Sequence, residues 1–300
     1  MTDLTRVTQE MIALYDRFTH EGGMSRRDMM AGMTKLAGST AAAVAIVPLI
    51  EASAQAAAPP GTNSNQILAQ RIVYSDGVNE RMVGWLAHPE RGQKRMPRVL
   101  VIHENRGLNQ HIKDVTTRLA AAGFVALAPD FLSSMGETPA TGDGTKTADD
   151  IARERIGALD PQRTMREAKM SMEFLTEHEH GLGVPGAVGF CWGGLKVNEL
   201  AMAAGKKLRA GVVYYGMAPQ DMSGAKNIKA RMLLHYAGLD ERVNATAEAW
   251  QAALKAAGVD FAAFTYPGVN HAFNNDTSAA RYNKEAADLA WSRTLAWLAI

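Results

Sequence analysis

Gly189-Phe190-Cys191-Trp192-Gly193-Gly194 sets the only cysteine of the chain between a strand-like run and a helical one. Val184, Ala187 and Val188 before it suit a buried strand, and Leu195 to Ala204 after it suit a helix. A backbone that leaves a strand and enters a helix over so few residues must turn sharply. The residues two before and two after the tip are then crowded, and glycine at 189 and 193 meets that demand. The pattern reads as a nucleophile elbow with sulfur in place of the usual hydroxyl. A free cysteine packed as a small hydrophobe is the competing reading of the residue type alone, and the flanking glycines decide against it.

The rest of the chain alternates short apolar runs with helical patterns from about Ile67 onward, which predicts an α/β fold built on a mostly parallel sheet. Arg71 to Ser75 and Arg81 to His88 suit an antiparallel pair around Asp76-Gly77. Arg98 to His103 is a continuous apolar run of the kind found in a strand covered on both faces. A helix is expected over Gln110–Ala122, a strand over 124–128, a long loop over 133–147 and a helix over 163–177. Further strands are expected over 210–215, 231–236 and 261–266, with a closing helix over 279–298 that packs Trp291 and Trp297 on the sheet.

Composition narrows the function. With 300 residues, a formal charge of +1 and 47% hydrophobic residues, the chain can bury a sizeable core. Near-neutral charge without a basic run argues against a nucleic-acid partner. A single cysteine excludes an intramolecular disulfide and any CxxC framework. His178-Glu179-His180 lacks further ligands at metal spacing, and no phosphate-loop signature follows Gly186-Ala187-Val188-Gly189, so neither a metal nor an organic cofactor is expected.

The first 56 residues read differently. Ser25-Arg26-Arg27-Asp28-Met29-Met30 precedes an Ala-, Gly- and Val-rich run over Ala31–Ile50, followed by the small-x-small sites Ala52-Ser53-Ala54 and Ala54-Gln55-Ala56. Paired arginines, a moderately apolar segment and such sites describe a twin-arginine signal, which implies export machinery as a partner and a periplasmic or otherwise exported protein. An amphipathic helix that stays attached, leaving the protein cytoplasmic, is the alternative. Residues 57–66, with Pro59-Pro60-Gly61, read as a linker, and 67–300 as the folded domain.

If Cys191 is a nucleophile it needs a base, and hydrolases of this topology order the chain as nucleophile, acid, histidine. Asp240 falls in a turn just past the 231–236 strand, and His271 in a loop past the 261–266 strand. Both therefore sit at carboxyl ends of strands, where open α/β sheets assemble their sites. Glu104 follows the apolar strand ending at His103, and a carboxylate there must be hydrated, paired or used; an ion pair with Arg106 is the non-catalytic possibility. The loop after that strand and the residue after the nucleophile supply oxyanion donors in this topology, which singles out the backbone N–H groups of Asn105 and Trp192.

These motifs together resemble the dienelactone hydrolase, or carboxymethylenebutenolidase, family over roughly Ile67 to Ile300. The resemblance rests on the Glu104 strand end, the G-F-C-W-G-G elbow, Val213-Tyr214-Tyr215-Gly216, the Gly238–Asp240 turn and His271-Ala272-Phe273. The leader resembles a subgroup carrying a twin-arginine signal. What the resemblance implies is an α/β-hydrolase fold with helices on both faces, hydrolysis of a small-molecule ester or lactone through a Cys191–Asp240–His271 triad and a thioester, and Glu104 as the partner that holds the resting thiol and helps to create the thiolate. One position departs from the family: the arginine expected four residues after the histidine is Asn275. Arg153, Arg155 and Arg163 are all eligible for a second, upstream arginine. A thiol-based peroxide sensor and a non-catalytic binding module on the same fold are the alternatives in other functional classes.

Overall fold

The computed structural model describes residues 8, 10–11, 14, 24–47, 67–75, 81–90, 96–278 and 280–299. The described strands form one eight-stranded sheet of order β1-β2-β4-β3-β5-β6-β7-β8. They are β1 (Ile67–Ser75), β2 (Arg81–Pro89), β3 (Met96–Ile102), β4 (Val125–Asp130), β5 (Gly181–Phe190), β6 (Ala210–Tyr214), β7 (Arg231–Ala237) and β8 (Phe261–Tyr266). The β1–β2 and β2–β4 pairs are antiparallel, while β4–β3, β3–β5, β5–β6, β6–β7 and β7–β8 are parallel. This is the α/β-hydrolase arrangement expected from the sequence. The Asp76-Gly77 turn lies outside the described residues.

Helices cover both faces. α3 (Gln110–Ala121) and α8 (Lys284–Leu298) lie on one side, where Ile112, Val115, Leu119, Trp291, Leu295 and Trp297 share a core with Val99 and Val101. α5 (Pro161–Glu177), α6 (Trp192–Ala204) and α7 (Glu241–Ala256) lie on the other, where Met172, Leu175, Val197, Leu200 and Trp250 share a core with Leu100 and Ile102. Successive β3 residues thus serve opposite faces, which is why the strand reads as an unbroken apolar run rather than an alternating one.

Helix boundaries follow capping. Asp160 accepts from the Arg163 amide at 2.6 Å and Pro161 opens α5, two residues before the expected start. Asn283 caps α8 through the Ala286 amide at 3.0 Å, so the closing helix begins later than the expected Ala279, and residues 280–281 form a turn instead. A capping box between Thr147 and Asp150 starts a helix not anticipated from the sequence, α4 (Ala148–Gly157), directly after the long loop.

The described part of the leader holds two helices, Arg26–Ala37 (α1) and Thr40–Val47 (α2), bent by 113°. Ser25 caps α1 through the Asp28 amide at 3.1 Å. Met29, Met33, Ala43, Ile46 and Val47 are buried in the same apolar cluster that contains α3, α8 and one sheet face. No single helix among the described residues is long and apolar enough to cross a membrane. The small-x-small sites over 52–56 lie outside the described residues.

One buried group ties the core to pH. His235 on β7 is fully enclosed, with Nδ1 3.0 Å from the Tyr266 hydroxyl and Nε2 3.2 Å from Thr294 Oγ1. Burial, aided by the Arg293 charge, pushes its pKa well below the usual imidazole value. His103 is likewise buried and shifted down. Both are neutral in the fold, whereas the unfolded chain protonates them below about pH 6.5. The unfolded state therefore binds more protons, so the contribution is complete above that pH and is lost as pH falls through it. We expect the urea unfolding free energy to drop between pH 7 and 5, with a slope of at most about 1.4 kcal/mol per pH unit for each imidazole. His235→Leu should remove part of that slope, since Tyr266 keeps Arg293 and Thr294 keeps Tyr214 and the Ala290 carbonyl as partners. An unchanged slope would contradict the assignment.

Candidate active site

The order in which the chain adds strands to the sheet reverses between β3 and β5. From β3 the chain passes through α3 to β4 on one side, and from β5 through α6 to β6 on the other. Their carboxyl ends lie side by side, with Ile102 opposite Gly189, and the loops leaving them diverge to open a crevice. A cavity of about 1160 Å³ occupies this edge, lined by Glu104, Asn105, Cys191, Trp192, Tyr215, Asp240, His271 and Asn275 among others.

Cys191 occupies the turn with φ 54° and ψ −112°, a left-handed conformation that a side-chain-bearing residue adopts only under constraint. The constraint is visible in its glycine neighbours. A Cβ on Gly189 would lie 2.1 Å from the Gly193 carbonyl oxygen, and one on Gly193 would lie 2.2 Å from the Ile102 carbonyl oxygen. The Cys191 amide is held by the Tyr214 carbonyl at 3.0 Å. Tyr215 (φ 40°) and Ala272 (φ 67°) are also left-handed, so three of the four such non-glycine residues described line the same cavity.

The sulfur faces opposing influences. Burial, followed by the Glu104 carboxylate, pushes the thiol up to about 11. The backbone N–H groups of Trp192 and Asn105 act in the other direction, as does the Arg242 charge. The two residues whose amides the sequence singles out line the cavity beside Cys191. The resting thiol is protonated at neutral pH, and no hydrogen bond among the described residues joins it to His271.

Asp240 caps α7, with Oδ1 accepting from the Val243 amide at 3.3 Å and Oδ2 lying 2.5 Å from His271 Nδ1. Two backbone bonds, from the Gly238 amide to the Tyr266 carbonyl at 2.8 Å and from the Leu239 amide to the Val269 carbonyl at 3.0 Å, bind the Asp240 turn to the loop carrying His271. This leaves His271 Nε2 without a hydrogen-bond partner among the described residues, on a side chain 19% exposed at the cavity wall.

Glu104 is buried, and it pairs with neutral groups rather than with Arg106. The Tyr215 hydroxyl donates to Oε1 at 3.0 Å and Asn275 Nδ2 donates to Oε2 at 3.0 Å. Arg106 instead meets Asp149 at 3.2 Å. Tyr215 and Asn275 were visible in the sequence as a family mark and a family departure, but their shared bond to Glu104 depends on loops 111 and 171 residues apart. Of the three eligible upstream arginines, Arg153 lines the cavity, Arg155 donates to the Glu137 carbonyl at 3.2 Å and Arg163 pairs with Glu167 at 2.9 Å. His178 and His180 lie far from this site with His88, at the opposite end of the sheet, with ring centroids 4.8 to 5.6 Å apart. No three His, Cys, Asp or Glu side chains among the described residues are placed to hold a metal ion.

Comparison with known proteins agrees with this architecture. The Dienelactone hydrolase family profile matches residues 82–300. A candidate carboxymethylenebutenolidase of Methylorubrum extorquens is 30% identical over 291 residues, covering 91% of this chain and 92% of its own length. That span takes in part of α1. Among solved structures, a candidate dienelactone hydrolase from Klebsiella pneumoniae superposes with a TM-score of 0.70 at 27% identity, covering 78% of this chain and 98% of its own. A dienelactone hydrolase-like promiscuous phosphotriesterase from metagenomic libraries gives a TM-score of 0.65 at 26% identity, again over 78% and 98%. The chain belongs to the dienelactone hydrolase family, and it is a hydrolase acting on lactones or esters.

Proposed function

We propose that the enzyme opens an ester or lactone through a thioester on Cys191, with His271 as general base, Asp240 as its orienting acid and the Asn105 and Trp192 amides as the oxyanion hole. The observation that carries this reading is that Cys191, Asn105, Trp192 and the hydrogen-bonded His271–Asp240 pair line one cavity.

The resting arrangement explains how the thiol stays unreactive until substrate arrives. Burial and Glu104 oppose ionisation of the sulfur. An incoming carbonyl sets its oxygen at the Asn105 and Trp192 amides and its carbon at the sulfur, which turns toward His271 Nε2. His271 accepts the thiol proton while sulfur bonds to the carbonyl carbon, and the carbonyl electron pair moves onto the oxygen held by the two amides. Collapse breaks the carbon–oxygen bond and the leaving alkoxide takes the proton from His271, so a lactone opens while still attached to the enzyme. Water then attacks the thioester, with His271 taking its proton and returning it to sulfur. Glu104 fits the role of holding the resting thiol. The high resting pKa also weighs against peroxide sensing, which requires a thiolate before any substrate binds.

Asn275 offers neutral hydrogen bonding where the family arginine would offer a charged fork, and here its amide is committed to Glu104. Recognition of a substrate carboxylate, where the substrate has one, then falls to the arginines on the wall, Arg106, Arg153, Arg242 and Arg281. We further propose that Arg26-Arg27 directs export of the folded enzyme.

Release of nitrophenol from short-chain nitrophenyl esters tests the triad. Cys191→Ala and His271→Ala should each lower kcat by about 10⁴-fold or more, and wild-type rates in either would overturn the reading. The thiol can be titrated directly by following iodoacetamide alkylation against pH. A midpoint near 11 is expected for the free enzyme. Glu104→Gln, by removing a negative charge, should move it down, and Arg242→Ala should move it up; shifts of opposite sign would contradict the electrostatic account. For export, replacing Arg26 and Arg27 together by lysine should leave active enzyme in the cytoplasm, and unchanged fractionation would refute the signal.

A further inference from the structure

We infer that His103 is a positioning residue that aims the oxyanion hole. The inference rests on the hydrolytic reading above and adds to it the source of the hole's geometry. His103 follows β3 and is fully buried. Its Nδ1 lies 2.7 Å from the Glu104 carbonyl oxygen, and its Nε2 lies 3.3 Å from the Phe131 backbone nitrogen. A carbonyl only accepts and an amide N–H only donates, so the ring is the neutral tautomer with its proton on Nδ1.

The carbonyl that His103 holds belongs to the peptide linking Glu104 to Asn105. The described residues contain no cis peptide, and in a trans unit the C=O and N–H point in opposite directions. Fastening the Glu104 carbonyl to the imidazole therefore turns the Asn105 N–H away from the imidazole, and Asn105 lines the cavity beside Cys191. The Gly107 amide also reaches the same carbonyl, at 3.3 Å, as the ordinary bond closing a turn. His103 supplies the shorter bond and comes from outside the turn, so it fixes the peptide plane against the sheet.

The same ring supports the second donor. His103 stacks on the Trp192 indole with centroids 5.3 Å apart and planes 16° from parallel, and Phe131 packs edge-on to both at 5.4 and 5.6 Å. One imidazole thus touches the residue or peptide carrying each amide assigned to the oxyanion hole. It touches no reacting atom. A histidine that only filled the core could be replaced by leucine at some expense in stability and none in transition-state binding.

The test uses the full chain and nitrophenyl butyrate, with wild type, His103→Leu, His103→Asn, His103→Gln and Cys191→Ala. His103→Leu should lower kcat about 30- to 300-fold, somewhat less than outright loss of an oxyanion donor, with KM within about threefold. Affinity for a trifluoromethyl ketone, which forms a tetrahedral adduct with the thiol, should fall by a similar factor to kcat. Asparagine can place an amide N–H near the Nδ1 position and should recover at least about tenfold of the lost kcat. Glutamine keeps an acceptor for the Phe131 amide without reaching the Glu104 carbonyl, so it should match leucine; it also serves if the leucine variant does not fold. A folded leucine or glutamine variant with kcat within about threefold of wild type, or one whose kcat falls while ketone affinity does not, would overturn the inference. Activity lost in Cys191→Ala but indifferent to His103 would remove this inference alone, whereas activity indifferent to Cys191 would remove the hydrolytic reading beneath it.

Discussion

The left-handed backbone at Cys191 is the constraint on which the site depends. A φ of 54° at a residue with a side chain is held by close approach of glycines on both sides, with Gly193 set against the Ile102 carbonyl and Gly189 against the Gly193 carbonyl. Those contacts lock the end of β5 and the start of α6 to the end of β3, the strand whose following loop carries Glu104 and Asn105. The geometry that lifts the sulfur into the crevice therefore also sets its position relative to the Glu104 carboxylate and the Asn105 amide. Strain at the tip is maintained by a sheet covered on both faces.

A second consequence is a balance of charge at the thiol. A helix N-terminus and two backbone amides favour negative sulfur. In the folded protein burial and Glu104 outweigh them. Glu104 can act this way because Tyr215 and Asn275 hold it with neutral hydrogen bonds and leave its charge uncancelled. An arginine at position 275 would offset that charge and relax the restraint on the thiol. The residue at this position thus bears on the resting state of the Cys191 thiol.

Much of this was legible in the sequence where local pattern and function coincide. The elbow shows itself because tight turns demand glycine, the β3 run because a doubly covered strand is apolar throughout, and Asp240 and His271 because strand ends are where such sheets place their chemistry. Arg106 was the nearest cation to Glu104 along the chain, yet it pairs with Asp149, since neighbours in sequence on a sharp turn point apart. The capping box at Thr147 and Asp150 begins a helix immediately after a loop-like composition, which hid α4. The late start of α8 reflects Asn283, whose cap outweighs the helical composition before it. The sign of the shift at Cys191 was beyond reach of local reasoning, because desolvation is a property of the assembled core.

The account turns on a covalent bond between Cys191 and the acyl group, and mass spectrometry of enzyme quenched during turnover tests it most directly. The account predicts that the peptide containing Cys191 gains the mass of the acyl group less one hydrogen, that an ester and its thioester analogue give the same adduct, and that Cys191→Ala abolishes it. An acyl mass on another residue, or sustained turnover with no adduct and full activity in Cys191→Ala, would contradict it.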